Sequence, residues 1–210
     1  MDTLVHSYLY LRRAIGVIGL ALPVVLVVGN LLADGGMRNS ISGYYYSDVR
    51  DILVGAMCAV GVFLLSYRGY GRVDDMAGNI AAVAAVGIAL FPTLPPNPTG
   101  GDRVVAALHI AFAAVFFLTL AFFSLVLFRK SDDPTPDRRK RQRNAVYLVC
   151  GIAILACLAL MAVLGFFLDP QTAHLRPALW LEAGAILAFG VSWLTKGEAI
   201  LGDLRPGRDR

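Results

Sequence analysis

The sequence predicts an all-α fold, a polytopic bundle of six transmembrane helices with the N- and C-termini cytoplasmic. Three observations predict it. Hydrophobic residues make up 57% of the 210 positions, against about 45–50% in a soluble domain, and mean hydropathy is +0.65. The apolar residues are gathered into six runs near the ~20 residues that cross a bilayer, too long and too uniform for strands. Finally, Lys and Arg are concentrated on alternate connections between those runs, the distribution expected of a membrane protein.

The first run, 14–33, follows Arg12-Arg13 and contains Pro23, where a kink is expected. It is longer than a signal-peptide core and reads as a first span rather than a removable leader. The second, 49–67, follows a polar, tyrosine-rich stretch from Asn39 to Asp51. The third, 76–91, is short and is stopped by Pro92. The fourth covers 104–128, the fifth 145–168 and the sixth 178–195. No long polar stretch remains outside them, so residues 1–210 read as a single transmembrane domain.

Orientation follows from the basic residues. A cytoplasmic N-terminus places 15 of the 19 Lys and Arg inside and leaves only Arg38, Arg50, Arg103 and Arg176 outside. The net charge of +4 and the pI near 9.1 therefore express topology, and nucleic acid is not expected as a partner. The loop from Arg129 to Asn144, RKSDDPTPDRRKRQRN, reads as a solvated anchor with a turn at Asp132-Asp133-Pro134. Recognition of anionic lipid by its basic residues is the functional alternative.

The three cysteines, Cys58, Cys150 and Cys157, all fall in apolar runs with no metal-binding spacing, and they read as small packing residues. Gly55 and Ala59 in helix two, and Ala77, Ala81 and Ala85 in helix three, offer faces for close helix contact. Helix three is expected at the centre with helix two beside it. A homo-oligomer through such faces is a further expectation.

Ionisable groups at membrane depth are costly and mark candidate sites. Asp51 at the start of helix two, His109 in helix four and Glu182 in helix six all enter from the outer side. Neighbouring helices two, four and six would bring them together. Asp102 lies seven residues before His109 on the same helix face, and Arg50 and Tyr45 stand in the loop above. Such a mixture can relay protons, act in acid–base chemistry, or grip an anionic head group through Arg50. The structural alternatives are capping of helix two by Ser47 or Asp48, an interfacial belt of tyrosines, and a hydrogen-bonding strut at His109. On the inner side, Asp74, Asp75, Arg68, Arg72 and Lys196 read as a salt-bridge layer.

The string Ser40-Ile41-Ser42, Tyr44-Tyr45, Arg50-Asp51, Val54-Gly55 and Tyr67-Arg68-Gly69-Tyr70 resembles a group of uncharacterised bacterial six-helix membrane proteins. The resemblance extends over Asp75, Gly78-Asn79, Phe91-Pro92-Thr93, His109 and Trp193-Leu194. It implies the fold and a bacterial inner (cytoplasmic) membrane, and carries no activity. The layout is also loosely similar to the CREST membrane hydrolases, which hold zinc through three histidines. Only His109 lies inside a span here and no His-x-x-x-His pair exists, so no ligand of that family is carried over and no metal residue is assigned.

The expected function is binding or transport of a small molecule, proton or lipid head group in an outer-leaflet cleft formed by Asp51, His109 and Glu182. An intramembrane lipid hydrolase using a metal or a nucleophile such as Ser47 is one alternative. A structural or assembly subunit is the other.

Overall fold

The computed structural model describes residues 2–69, 71–131, 137–167 and 174–202. It contains six α-helices and, among the described residues, no strand. They are α1 (Asp2–Leu32), α2 (Arg50–Ser66), α3 (Arg72–Leu90), α4 (Gly100–Phe122), α5 (Arg138–Phe167) and α6 (Pro177–Lys196). Five of them, all but α2, are long and apolar enough to cross a membrane. At 17 residues α2 is about 25 Å long, slightly less than a ~30 Å hydrocarbon core but at the lower limit for a spanning helix.

The helices start and stop where backbone chemistry requires. Asn30, fully buried in the last turns of α1, donates from Nδ2 to the Gly36 carbonyl at 2.6 Å and so closes the turn that follows. That turn needs Gly36 at φ +67°, a left-handed conformation that glycine adopts without a Cβ clash. Thr99 and Asp102 form a reciprocal capping box at the start of α4. At the far end of α4 the winding loosens over Phe123–Leu127. Phe128 N–H then donates five residues back, to Phe123 O at 2.8 Å, as in a π turn. Lys140 Nζ donates to the Phe128 and Lys130 carbonyls at 3.2 and 2.8 Å, meeting the exposed acceptors of that terminus. The proposed turn at Asp132-Asp133-Pro134, Tyr70 and the tail beyond 202 lie outside the described residues.

Each helix packs on its neighbours in sequence, and α6 returns to α1, so the six form a closed ring. Helix α3 is thus one member of the ring, between α2 and α4, rather than a central post. Its alanine face is nevertheless the buried one, with Ala77, Ala81 and Ala85 at 5%, 0% and 0% exposure. On α2 the close contact is made by Gly61 and not by Gly55. A Cβ on Gly61 would lie 3.2 Å from the Ala82 carbonyl, whereas Gly55 has nothing within 4 Å.

The ring closes tightly between α1 and α6. A Cβ on Gly16 would stand 2.8 Å from the Leu194 nitrogen, and one on Gly190 would stand 2.8 Å from the Leu20 nitrogen. Inside the ring, fully buried Trp193 meets Tyr67, Phe123 and Phe128 at ring-centroid distances of 5.3, 5.5 and 5.2 Å. Nearby, Ser124 and Ser192 share a buried hydrogen bond of 2.8 Å across the interior. The phenylalanines of helix four therefore divide: Phe116, Phe117, Phe123 and Phe128 are core, and Phe122 is exposed.

The two ends of the ring differ in character. At the basic end, Arg13 Nε donates to Gly197 O at 2.7 Å, tying α1 to α6. Lys130 reaches the buried carboxylate of Asp74 at 3.6 Å, and Asp75 accepts the Gly69 N–H at 3.1 Å. The salt-bridge layer expected from sequence is therefore only partly formed: Asp74 pairs with Lys130 rather than with Arg68 or Arg72, Asp75 accepts from the main chain, and Arg68 donates to the Leu65 and Tyr67 carbonyls. The opposite end is closed by the α1–α2 connection, and the candidate site lies there.

Candidate functional site

The α1–α2 connection is knotted on itself before it touches anything else. Ser40 Oγ accepts the Gly43 N–H at 2.9 Å, which turns the chain into a short 3-10 helix, Ser42–Tyr46. Ser47 Oγ donates back to Tyr44 O at 2.6 Å and ends that turn. Ser47 therefore does not cap α2, whose N-cap is Val49 with no side-chain bond.

From this turn three strings of contacts run outwards. Toward α6, Glu182 accepts Ser42 N–H at 2.8 Å and Ser42 Oγ–H at 3.3 Å. Toward the α3–α4 connection, Tyr46 donates its hydroxyl to Thr93 O at 2.7 Å. Toward solvent, Tyr45 packs edge-on against Tyr46 and lies beneath the Arg50 guanidinium at 5.9 Å. Tyr44 is fully buried. The three tyrosines thus have three different tasks: Tyr44 is core, while Tyr45 and Tyr46 are both half-exposed, Tyr46 with its hydroxyl tied to Thr93 O and Tyr45 under Arg50.

His109 is buried, and its Nδ1 lies 2.7 Å from the carbonyl of Phe91. Since a carbonyl only accepts, Nδ1 carries the proton. The bond meets an acceptor at the end of α3 that Pro92 prevents the helix from satisfying by continuing. Two residues further on is Thr93, the acceptor of Tyr46.

The sequence-derived candidates are therefore arranged as follows. Asp51, Arg50 and Tyr45 come together at the surface, where Arg50 Nε and Asp51 Oδ1 pair at 3.2 Å. They line a cavity of about 490 Å³ with Tyr46, Ser47 and Asp48, and Arg38 completes its wall. Asp102 is taken up by its cap, accepting Thr99 N–H and Oγ–H at 2.7 Å each, and its charge also acts on Tyr46. Glu182 and His109 make no hydrogen bond to the cavity residues or to each other. Of Asp51, His109 and Glu182, only Asp51 lines the cavity. They are joined through the connecting turn instead: Glu182 holds Ser42, Tyr46 holds Thr93, and His109 holds Phe91.

Of the lining residues, Arg38 is the one that sequence reasoning did not bring to the site. Arg38 carried a signal, being one of only four basic residues on the expected outer side. Tyr46 stands with Tyr44 and Tyr45 in the tyrosine-rich stretch placed by sequence above the site. Its phenol is raised above the ordinary tyrosine range, first by partial burial, then by the negative charge of Asp102 and by Tyr45. Among the described residues no group of three His, Cys, Asp or Glu is placed to hold a metal ion.

Comparison with known proteins finds no match: no family model, no curated protein and no solved structure is similar to the chain at a significant level.

Proposed function

We propose that this chain is a six-span protein of the bacterial inner membrane, with both termini cytoplasmic, that binds a polar head group or small molecule at its outer end. Five long apolar helices support the membrane reading. The basic loops support the orientation, because Arg12, Arg13, Arg68, Arg72 and the Arg129–Arg143 cluster fall at the end opposite the cavity. Helix α2 is the sixth span, with its charged pair Arg50 and Asp51 at the water boundary.

The observation that carries the binding role is the cavity itself. About 490 Å³ is within the range of small-molecule sites. Its walls bring two arginines, two aspartates, two phenols and a hydroxyl to one opening. Arg50 alone is committed to a carboxylate. An opening with that lining suits a polar head group held by charge-assisted hydrogen bonds.

The hydrolase alternative would use Ser47 as nucleophile, but its hydroxyl donates to the main-chain carbonyl of Tyr44 at 2.6 Å rather than to a base. Head-group binding is thus the better supported reading.

The test is binding of phospholipid head groups to purified full-length protein in lipid nanodiscs, comparing wild type with an Arg38→Gln, Arg50→Gln double variant. Loss of two charge-assisted contacts should weaken binding by roughly tenfold or more. Equal binding by the double variant would reject the site.

A further inference from the structure

We propose that the cavity selects a zwitterion, a phosphate and a primary ammonium carried on one head group. The inference rests on the binding role proposed above and names its ligand.

The walls contain four charged side chains that sum to zero, Arg38, Asp48, Arg50 and Asp51. They are not equivalent. Arg50 and Asp51 pair with each other at 3.2 Å, and the Arg50 guanidinium also lies over Tyr45. That pair carries no net charge, and its one contact, Arg50 Nε to Asp51 Oδ1, leaves the terminal guanidinium nitrogens of Arg50 as further donors. The other two are open. Arg38 is half-buried, and its Nε is shielded from solvent without a hydrogen-bond partner. Asp48 is exposed and makes no hydrogen bond or ion pair in the described structure. One positive and one negative pole therefore stand in the same opening with the neutral pair as part of its wall.

Each simpler ligand leaves one pole wrongly matched. A purely anionic group meets Arg38 but is repelled by Asp48. A purely cationic group meets Asp48 but is repelled by Arg38 and leaves its buried Nε donor without an acceptor. A ligand with both charges satisfies both. Phosphate oxygens suit the planar donors of Arg38. The first turn of α2, whose N-terminus no side chain caps, adds positive potential on the same side. A primary ammonium suits Asp48 and offers donors to the Tyr45 and Ser47 oxygens. The chemistry is that of phosphoethanolamine, whether lipid-borne or free.

The experiment uses full-length protein in two settings. In detergent, calorimetric titration compares O-phosphoethanolamine, glycerol 3-phosphate and ethanolamine. In nanodiscs, native mass spectrometry compares retention of phosphatidylethanolamine with that of phosphatidylglycerol. The expected result is a preference of roughly tenfold or more for the zwitterion in at least one setting. Asp48→Asn should lower zwitterion binding to the level of the anion, and Arg38→Gln should abolish binding of both. Binding of the free compound identifies a soluble ligand; binding only of the lipid identifies a membrane one, and either supports the inference. Glycerol 3-phosphate or phosphatidylglycerol binding as tightly as the zwitterion would overturn it while leaving the head-group site intact. Absence of binding by every probe in both settings would overturn the inference and the site together. Asp48 is exposed, so its variant is expected to fold, and an unchanged elution profile checks this.

Discussion

Glu182 joins α6 to a turn 140 residues away in the chain, and no other side chain in the described structure bonds to Ser42 N–H. Glu182→Ala would leave that donor without its partner, at a cost of about 1–3 kcal/mol. Glu182→Gln keeps one acceptor oxygen and should lose less. Thermal unfolding in detergent checks the order wild type, Gln, Ala; an unchanged midpoint for the Ala variant would contradict it. Tyr46 gives a test by pH. Its folded pKa is raised, so its contribution is present in full below the unfolded value, near 10. It is lost as pH rises from there through the higher folded value, as the Tyr46–Thr93 bond loses its proton. Removing the hydroxyl in Tyr46→Phe should therefore lower the midpoint at neutral pH, and the gap to wild type should narrow in alkali. A gap that stays constant would show that the hydroxyl plays no such part. His109 shows why such bonds are hard to read in advance. The sequence marks a histidine inside a span, but its partner is a main-chain carbonyl 18 residues earlier, and any residue type supplies a carbonyl.

The same limit acts on the helices. Their existence was legible from apolar length, and the six ranges read from sequence fall on the six helices observed. Which face turns inward was less legible, because a helix that is apolar all round carries no stripe to read. Gly55 and Ala59 were natural choices on α2, yet Gly61 makes the contact. The α1–α6 seam went unread because its glycines, Gly16, Gly19 and Gly190, lie at opposite ends of the chain and matter only once the ring closes. Two substitutions separate these cases. Gly190→Val places bulk against the Leu20 backbone and should destabilise by about 1–3 kcal/mol. Gly55→Val enters open space and should change stability by less than about 0.5 kcal/mol. A Gly190→Val protein as stable as wild type would show that α1 and α6 are not in close contact.

At the scale of the whole molecule, a closed ring of six helices carries a division of charge along its axis. The basic end is tied by Arg13, Lys130 and Asp74. The opposite end is folded over by a serine- and tyrosine-rich turn with the cavity beside it. Both ends were legible as sides in the sequence, since charge distribution survives without knowledge of packing. The cavity was legible only in part: Arg50, Asp51 and Tyr45 belong to one short stretch, whereas the placing of Arg38 against them depends on how the connection folds. Everything about the site's outward position depends on α2, the 17-residue helix, crossing the membrane. If α2 stayed on one side, every helix after it would run in the opposite direction. The direct measurement is thiol labelling of intact cells with a membrane-impermeant maleimide, in a background where Cys58, Cys150 and Cys157 are replaced by alanine. With six spans and cytoplasmic termini, Asn97→Cys labels in intact cells and Gln142→Cys labels only after the membrane is opened. The reverse pattern, Gln142→Cys labelled from outside and Asn97→Cys protected, would contradict the account.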